Sequence, residues 1–311
     1  MKISIVTSLY RSSPYINEFH ARHRACLIQL GVDYEFIFVN DGSPDDSVAV
    51  AQKLLLEYPR IKLIRLSRNF GQHAAMFAGL EHADGDYVYA TDCDLEEAPE
   101  NLIPMFNMLR ADPDVDVVYG VLKKRTAGFF ASILSSLFYY VLNVLTEVKV
   151  PHNQTWQRIM SQQYVRELLR YQEVQALPVG LMALVGFNQQ PLLVDKTFKG
   201  STSYSLMRRT MLALSAIVAF STKPLSWVCF AGLGLACVSF AVILAICIAT
   251  AFGFDFRAGW SSLMASIWCV GGLVLFSIGI VGMYLARVFD QVKNRPRYVI
   301  KQIVSSCQSS A

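Results

Sequence analysis

The chain is 311 residues long, 53% hydrophobic and only 17% charged, with a net charge of +4. Ordinary soluble domains carry about 25% charged residues, so this composition excludes a wholly soluble globular protein. Seven cysteines without a CxxC pair exclude a disulfide framework and a zinc site.

The N-terminus, MKISIVTSLYRSSPY, lacks the long apolar segment of a signal peptide, so roughly the first two hundred residues are expected in the cytosol. Short β-branched or aromatic runs then predict strands at 2–10, 34–41, 62–67, 87–94 and 115–121. Ser13-Pro14 and Ser43-Pro44 each place a capping hydroxyl before a proline suited to a first helical position, predicting helix starts there. The alternation argues for an α/β domain with a mostly parallel sheet. Ligands of such sheets bind at the carboxyl ends of the strands. Asp41 and the Asp92/Asp94 pair lie at two of those ends.

Residues 126–147 repeat apolar side chains at i, i+3 and i+4 behind the basic run at 123–125, and 204–220 carries Arg208 and Arg209. Both are expected to be amphipathic helices at the membrane surface. No charged residue occurs from Pro224 to Phe254, or from Ala258 to Ala286. Each run exceeds the ~20 residues that cross a bilayer as a helix. Arg208, Arg209 and Lys223 precede the first run and Arg287, Lys293, Arg295 and Arg297 follow the second, whereas the connection offers only Arg257. This bias predicts a two-span hairpin with both termini cytoplasmic. The expected divisions are 1–125, the α/β core; 126–223, a region with the interfacial helices; 224–287, the transmembrane hairpin; and 288–311, a cytoplasmic tail.

In a strand, residues i and i+2 share a face. Asp92 and Asp94 would then present two hard oxygen ligands together, as Mg²⁺ or Mn²⁺ requires while keeping positions open for phosphates. No G-x-G-x-x-G follows the first strand and no Walker loop occurs, which disfavours dinucleotide redox chemistry and P-loop hydrolysis.

The strings VNDGSPDDS, LSRNFGQHAAMFAGLEHADGD, DCDLEEAPE, FKGSTSY and VKNRPRYVI resemble the family-2 glycosyltransferases that load sugars onto polyprenyl phosphates. Dolichyl-phosphate mannose synthases belong there, as do bacterial bactoprenol-phosphate glycosyltransferases with two C-terminal spans. The resemblance implies a GT-A fold with a nucleotide-sugar donor across the sheet. Asp41 would hold the base or ribose, with Thr7, Leu9 and Tyr10 beneath the nucleotide. Asp92 and Asp94 would bind the metal on the diphosphate, with Asp94 among the catalytic residues. Asp41 also suits a simple turn, because Asp-Gly-Ser-Pro is a turn signal by itself. Glu96 stands where the family usually has Gln, and suits either a third metal ligand or a solvated acid at a helix start. Glu97 reads as a solvated charge. Arg68 and Asn69 are expected to position their loop, and His73, His82 and His152 to be structural.

On the acceptor side, a phosphate monoester has a second pKa of about 6 and is already a nucleophile at neutral pH. What is needed is positive charge that places it in line behind the anomeric carbon. Arg125, Arg158 and Lys199 are the candidates, counted among the catalytic residues, with Ser203 and Tyr204 adding hydrogen bonds. Lys196 suits either this site or a surface cation facing anionic lipid. Two departures from the family stand out. Thr7-Ser8-Leu9-Tyr10-Arg11-Ser12 replaces Pro-Val-aromatic-Asn-Glu, and Thr155-Trp156-Gln157-Arg158 replaces Gly-Asp-Phe-Arg. A carboxylate is thereby exchanged for Trp156, whose indole suits the apolar face of a pyranose.

The expected activity is inverting, metal-dependent sugar transfer to undecaprenyl phosphate at the cytoplasmic face of a bacterial inner membrane, serving a surface glycan such as O-antigen of lipopolysaccharide. The partners are a nucleotide-sugar, a polyprenyl phosphate and the membrane, with no nucleic acid; the resemblance implies a homo-oligomer, a tetramer. Two alternatives stay open. One is a processive polysaccharide synthase, which two spans and a missing Gln-x-x-Arg-Trp string disfavour. The other is a membrane-anchored, non-catalytic scaffold, which intact Asp92, Asp94 and Lys199 disfavour.

Overall fold

The β-branched runs of the N-terminal third become strands and the stretches between them helices in a computed structural model, which describes residues 1–122, 154–171, 178–195, 223–252 and 259–305. In chain order, β1 (Lys2–Leu9), α1 (Ile16–Leu30), β2 (Asp33–Asn40), α2 (Ser47–Glu57), β3 (Ile61–Leu66), α3 (Gln72–Glu81) and β4 (Tyr87–Ala90) form the alternating half. A single 3₁₀ turn (Pro99–Asn101), α4 (Leu102–Ala111) and β5 (Val117–Leu122) follow. β6 (Gln154–Ser161), α5 (Gln162–Arg170), α6 (Pro178–Leu184) and β7 (Gln189–Val194) complete this part. Two long helices, α7 (Lys223–Ala251) and α8 (Trp260–Val292), precede a last strand, β8 (Ile300–Ser305).

The described strands form one sheet in the order β7-β5-β6-β4-β1-β2-β3-β8. Its centre, β4-β1-β2-β3, is parallel. β2 is buried from Glu35 to Asn40, and β1 over most of its length, as expected of parallel strands covered on both faces. Phe19 and Leu27 of α1 pack with Phe36 and Phe38 on one side. On the other, a Cβ at Gly79 would stand 2.3 Å from a methyl of Val6, so only glycine lets α3 lie this close to β1. The chain runs from β1 out to β3 and then returns to β4 on the opposite side of β1. The β1/β4 boundary is therefore the switch point at which open α/β sheets bind ligands.

Several expected boundaries are corrected. α1 begins at Ile16, because Tyr15 N–H donates to the Ser12 carbonyl at 2.9 Å and the Ser13-Pro14 pair forms a turn instead. α2 begins at Ser47, and the Ser43 hydroxyl donates to Asp45 rather than capping the helix. The fourth strand stops at Ala90, not Asp94: a left-handed residue, Leu95 (φ 59°), turns the chain beyond it. β6 is antiparallel to both β4 and β5, so the sheet is mixed. Residues 288–311, expected as a tail, are divided, since α8 continues to Val292 and Ile300–Ser305 pair antiparallel with β3.

The long helices belong to a second compact unit. Ser266–Val292 is long and apolar enough to cross a membrane, and is so by length and composition; among the described residues it is the one such helix. Trp268, Leu275 and Phe276 are well exposed along it. Apolar surface of this extent requires lipid or a partner to cover it. α7 is 29 residues long, about 43 Å at 1.5 Å per residue. The stretches expected to lie at the membrane surface, 126–147 and 204–220, fall outside the described residues.

Candidate active site

The carboxyl ends of β1, β2 and β4 open onto one edge of the sheet, and each sends a loop there. Asp41 follows β2 directly and is 2% exposed. Its two carboxylate oxygens accept the Phe70 amide at 2.7 Å and the Gly71 amide at 3.0 Å. Burial raises its pKa, while those two amides and Arg68 act in the opposite direction. The β2 loop and the loop before α3 are thus stapled together. Gly42, at φ 60°, makes the approach possible: a Cβ there would meet the Asn69 nitrogen at 2.6 Å. Arg68 lies 4.1 Å over the Phe70 ring and donates to the Asn69 carbonyl, in keeping with a loop-positioning role.

Beneath the same edge, the turn after β1 is held by a carboxylate that the motif reading passed over. Asp45 accepts from the hydroxyls of Ser43 (2.5 Å) and Ser47 (2.6 Å) and from the amide of Ser13 (3.1 Å). The Ser43 and Ser47 hydroxyls in turn accept the amides of Arg11 and Ser12. Partial burial opposes ionisation of Asp45, but these donors outweigh it and hold the carboxyl at about 2. They fix Arg11 at φ 55°, an uncommon conformation for this residue type. Tyr10 is left exposed at the rim, while Thr7 and Leu9 are buried below it. The signal for this brace was available in the sequence as the Ser and Asp cluster of GSPDDS.

Beyond Ala90, burial alternates without strand geometry. Thr91, Cys93, Leu95 and Glu97 are buried, and Asp92, Asp94 and Glu96 between them are half-buried. The acids therefore share the outward side as expected, although a turn and not a strand arranges them. Asp92 accepts the Gln72 side-chain amide at 2.5 Å, and Asp94 accepts the Glu96 backbone amide at 3.0 Å. No cluster of three or more His, Cys, Asp or Glu suited to a metal occurs among the described residues, so Glu96 does not join the pair as a preassembled third ligand. Two half-exposed carboxylates in one turn still suit a hard divalent cation that takes its remaining oxygens from substrate and water. Glu97, expected to be solvated, is 4% exposed.

β6 supports this turn from the side. Gln157 donates to the Ala98 carbonyl at 2.9 Å and accepts from Asn101 at 2.8 Å, pinning the segment after the acids. Arg158 was expected to offer its charge to a lipid phosphate, yet it is 1% exposed. It donates to the Thr155 carbonyl at 3.0 Å and to the Met182 sulfur. Burial lowers its pKa, against the attraction of Tyr164, Glu97 and Tyr119. In this arrangement it acts as a buried brace of β6. Trp156 is half-buried, with the Arg158 guanidinium 5.7 Å from its ring and the His73 ring 5.3 Å away at 33°. Arg125, Lys196, Lys199, Ser203 and Tyr204 lie outside the described residues.

An α/β sheet with carboxylates at the tips of β2 and β4, and a loop network bracing its switch point, places a candidate ligand site at the carboxyl edge of the strands. Residues 4–169 match the model of glycosyl transferase family 2, and the chain belongs to that family. It is 38% identical to a Mycobacterium tuberculosis protein described as a glycosyltransferase, covering 98% of this chain and 89% of the relative. It is 32% identical to an uncharacterised glycosyltransferase of Bacillus subtilis, covering 97% and 94%. It is 31% identical to the SfII prophage-derived bactoprenol glucosyl transferase of Shigella flexneri, covering 97% and 98%. The protein is therefore a glycosyltransferase.

Proposed function

We propose that the protein moves a sugar from a nucleotide-sugar to undecaprenyl phosphate at the cytoplasmic face of the inner membrane, with inversion. The observation that carries this reading is where the apolar helices are inserted. The chain leaves the sheet at Val194 of β7 and returns to the same sheet at Ile300 of β8. A sheet lies on one side of a membrane, so the intervening chain must cross an even number of times. With α8 as one span, the uncharged run of α7 is the natural second. An acid-tipped sheet tethered in this way suits an acceptor that is itself a lipid, as the name of the Shigella relative also suggests.

In this reading Tyr10 and the braced turn after β1 receive the nucleoside, and Asp41 keeps the loop before α3 in place beside it. Asp92 and Asp94 would hold Mg²⁺ or Mn²⁺, which when bound neutralises charge on the departing diphosphate. The acceptor needs no general base, because its phosphate oxygen is already ionised. That oxygen forms the new bond to the anomeric carbon as the bond from this carbon to the diphosphate oxygen breaks, and the nucleoside diphosphate departs. Lys199 and Arg125 are assigned to holding the acceptor phosphate in line. The product serves surface glycan synthesis such as O-antigen modification. The test is transfer by purified protein from a panel of nucleotide-sugars to undecaprenyl phosphate with Mn²⁺, read by mass spectrometry. Lipid-linked sugar supports the reading; tight donor binding without lipid product favours a scaffold.

A further inference from the structure

Two contacts from the start of α3 link β6 to the acidic turn. Gln72, the first residue of α3, bonds Asp92. The next residue, His73, lies against Trp156. In the antiparallel β4/β6 register, Tyr89 pairs with Ile159 and Ala90 with Arg158. Asp92 and Trp156 each lie two residues from that last pair, at the same end, and the consecutive residues Gln72 and His73 join them through the start of α3. The half-buried indole is thus linked to the carboxylate assigned to the donor diphosphate, with exposed His73 against it.

We propose that Trp156, backed by His73, is the wall of the subsite that takes the transferred sugar, and that it selects a neutral hexopyranose with an unobstructed C–H face. This rests on the reading of Asp92 as the diphosphate end of the donor site. An indole offers a broad apolar surface with a negative face, which suits the polarised C–H groups of a pyranose. It offers no acceptor for a sugar hydroxyl at that face. The neighbouring cation does not turn the subsite into an anion reader, since Arg158 is 1% exposed and donates to the Thr155 and Trp156 carbonyls and the Met182 sulfur. A uronic acid would therefore lose hydration of its carboxylate here without a replacement partner.

The test uses the full chain in detergent with Mn²⁺ and calorimetric titration of UDP, UDP-glucose, UDP-glucuronic acid, GDP and GDP-mannose. Binding of UDP or GDP by the unmodified protein examines the donor-site reading by itself; if neither binds, that reading fails and the subsite with it. Trp156→Ala is expected to weaken the nucleotide-sugar about tenfold, the value of one aromatic contact, and to leave the bare diphosphate unchanged. Trp156→Phe should restore most of the loss, and His73→Ala should give a smaller loss of the same kind should Trp156→Ala not fold. Equal weakening of sugar nucleotide and bare diphosphate, or unchanged binding of both, overturns the proposal. So does a preference of the unmodified protein for UDP-glucuronic acid.

Discussion

Gln72 and Asp92 are joined by a 2.5 Å hydrogen bond, so the first residue of α3 is fastened to the tip of β4. The carboxylate is thereby held in one orientation on the acidic turn. Gln72→Ala is expected to lower turnover by about tenfold, the worth of one hydrogen bond to a charged group. Gln72→Glu should be worse, because it sets a second carboxylate against the first. Asp92→Ala and Asp94→Ala should abolish transfer, and EDTA should do the same to the unmodified protein until Mg²⁺ or Mn²⁺ is restored. Full activity in EDTA would remove the metal from the mechanism.

The cations separate into two kinds. Arg158→Ala removes a buried guanidinium and leaves the Thr155 carbonyl without its donor, so it should destabilise the sheet unit by about 1–3 kcal/mol. Lys199→Ala and Arg125→Ala should instead leave the melting temperature unchanged and cut turnover by about 10²–10³ with a soluble short-chain acceptor. Donor binding should persist in both. Near-normal turnover of both variants would leave the acceptor site unassigned.

The parallel core was legible because its strands read as short β-branched or aromatic runs alternating with helical stretches. β6 and β7 were not, since QTWQRIMS and QQPLLV carry mixed polar residues whose burial is decided by neighbours far along the chain. The acids Asp41, Asp92 and Asp94 were recognisable by type and place. The Gln72 amide that bonds Asp92 and the Phe70 and Gly71 amides that bond Asp41 were not, because a neutral amide has no periodicity that reveals a tertiary bond. The role of Arg158 was misjudged for a related reason: a sequence shows that a cation exists, and only packing shows that it is enclosed.

Two buried histidines make the stability of the sheet unit depend on pH. His20 lies between the Phe36 and Tyr58 rings, and His23 Nδ1 donates to the Phe19 carbonyl at 2.8 Å. Burial lowers both to about 4, with Arg24 adding to the effect on His20, while the Phe19 carbonyl opposes it at His23. The unfolded chain takes up these protons near pH 6.5, before the folded one does. Stability is therefore complete above about pH 6.5 and falls as pH drops towards 4. His20→Phe, which packs among the same rings and does not titrate, should flatten that slope in urea melts at pH 7 and pH 5. An unchanged slope would place the dependence elsewhere.

The return of the chain to its own sheet allows topology and folding to be tested together. Ile303 of β8 pairs with buried Ile64 of β3, and Ser67 N–H donates to the Val299 carbonyl at 2.9 Å just before the strand. Arg297 donates to the Tyr171 carbonyl and Tyr298 to Glu81 at the end of α3, anchoring the segment that follows α8. Ile303→Pro removes a donor from the ladder. The expected loss is about 1 kcal/mol or more, and a lower melting temperature should accompany it. Because β8 and β1 share one sheet, a tag at Ala311 must lie on the same side as the N-terminus. A cysteine introduced near Gly253 should then be labelled from outside intact cells, while the tag is reached only after permeabilisation. If both sites are labelled from outside, or if Ile303→Pro leaves stability untouched, the strand does not join the sheet and the even count of crossings loses its foundation.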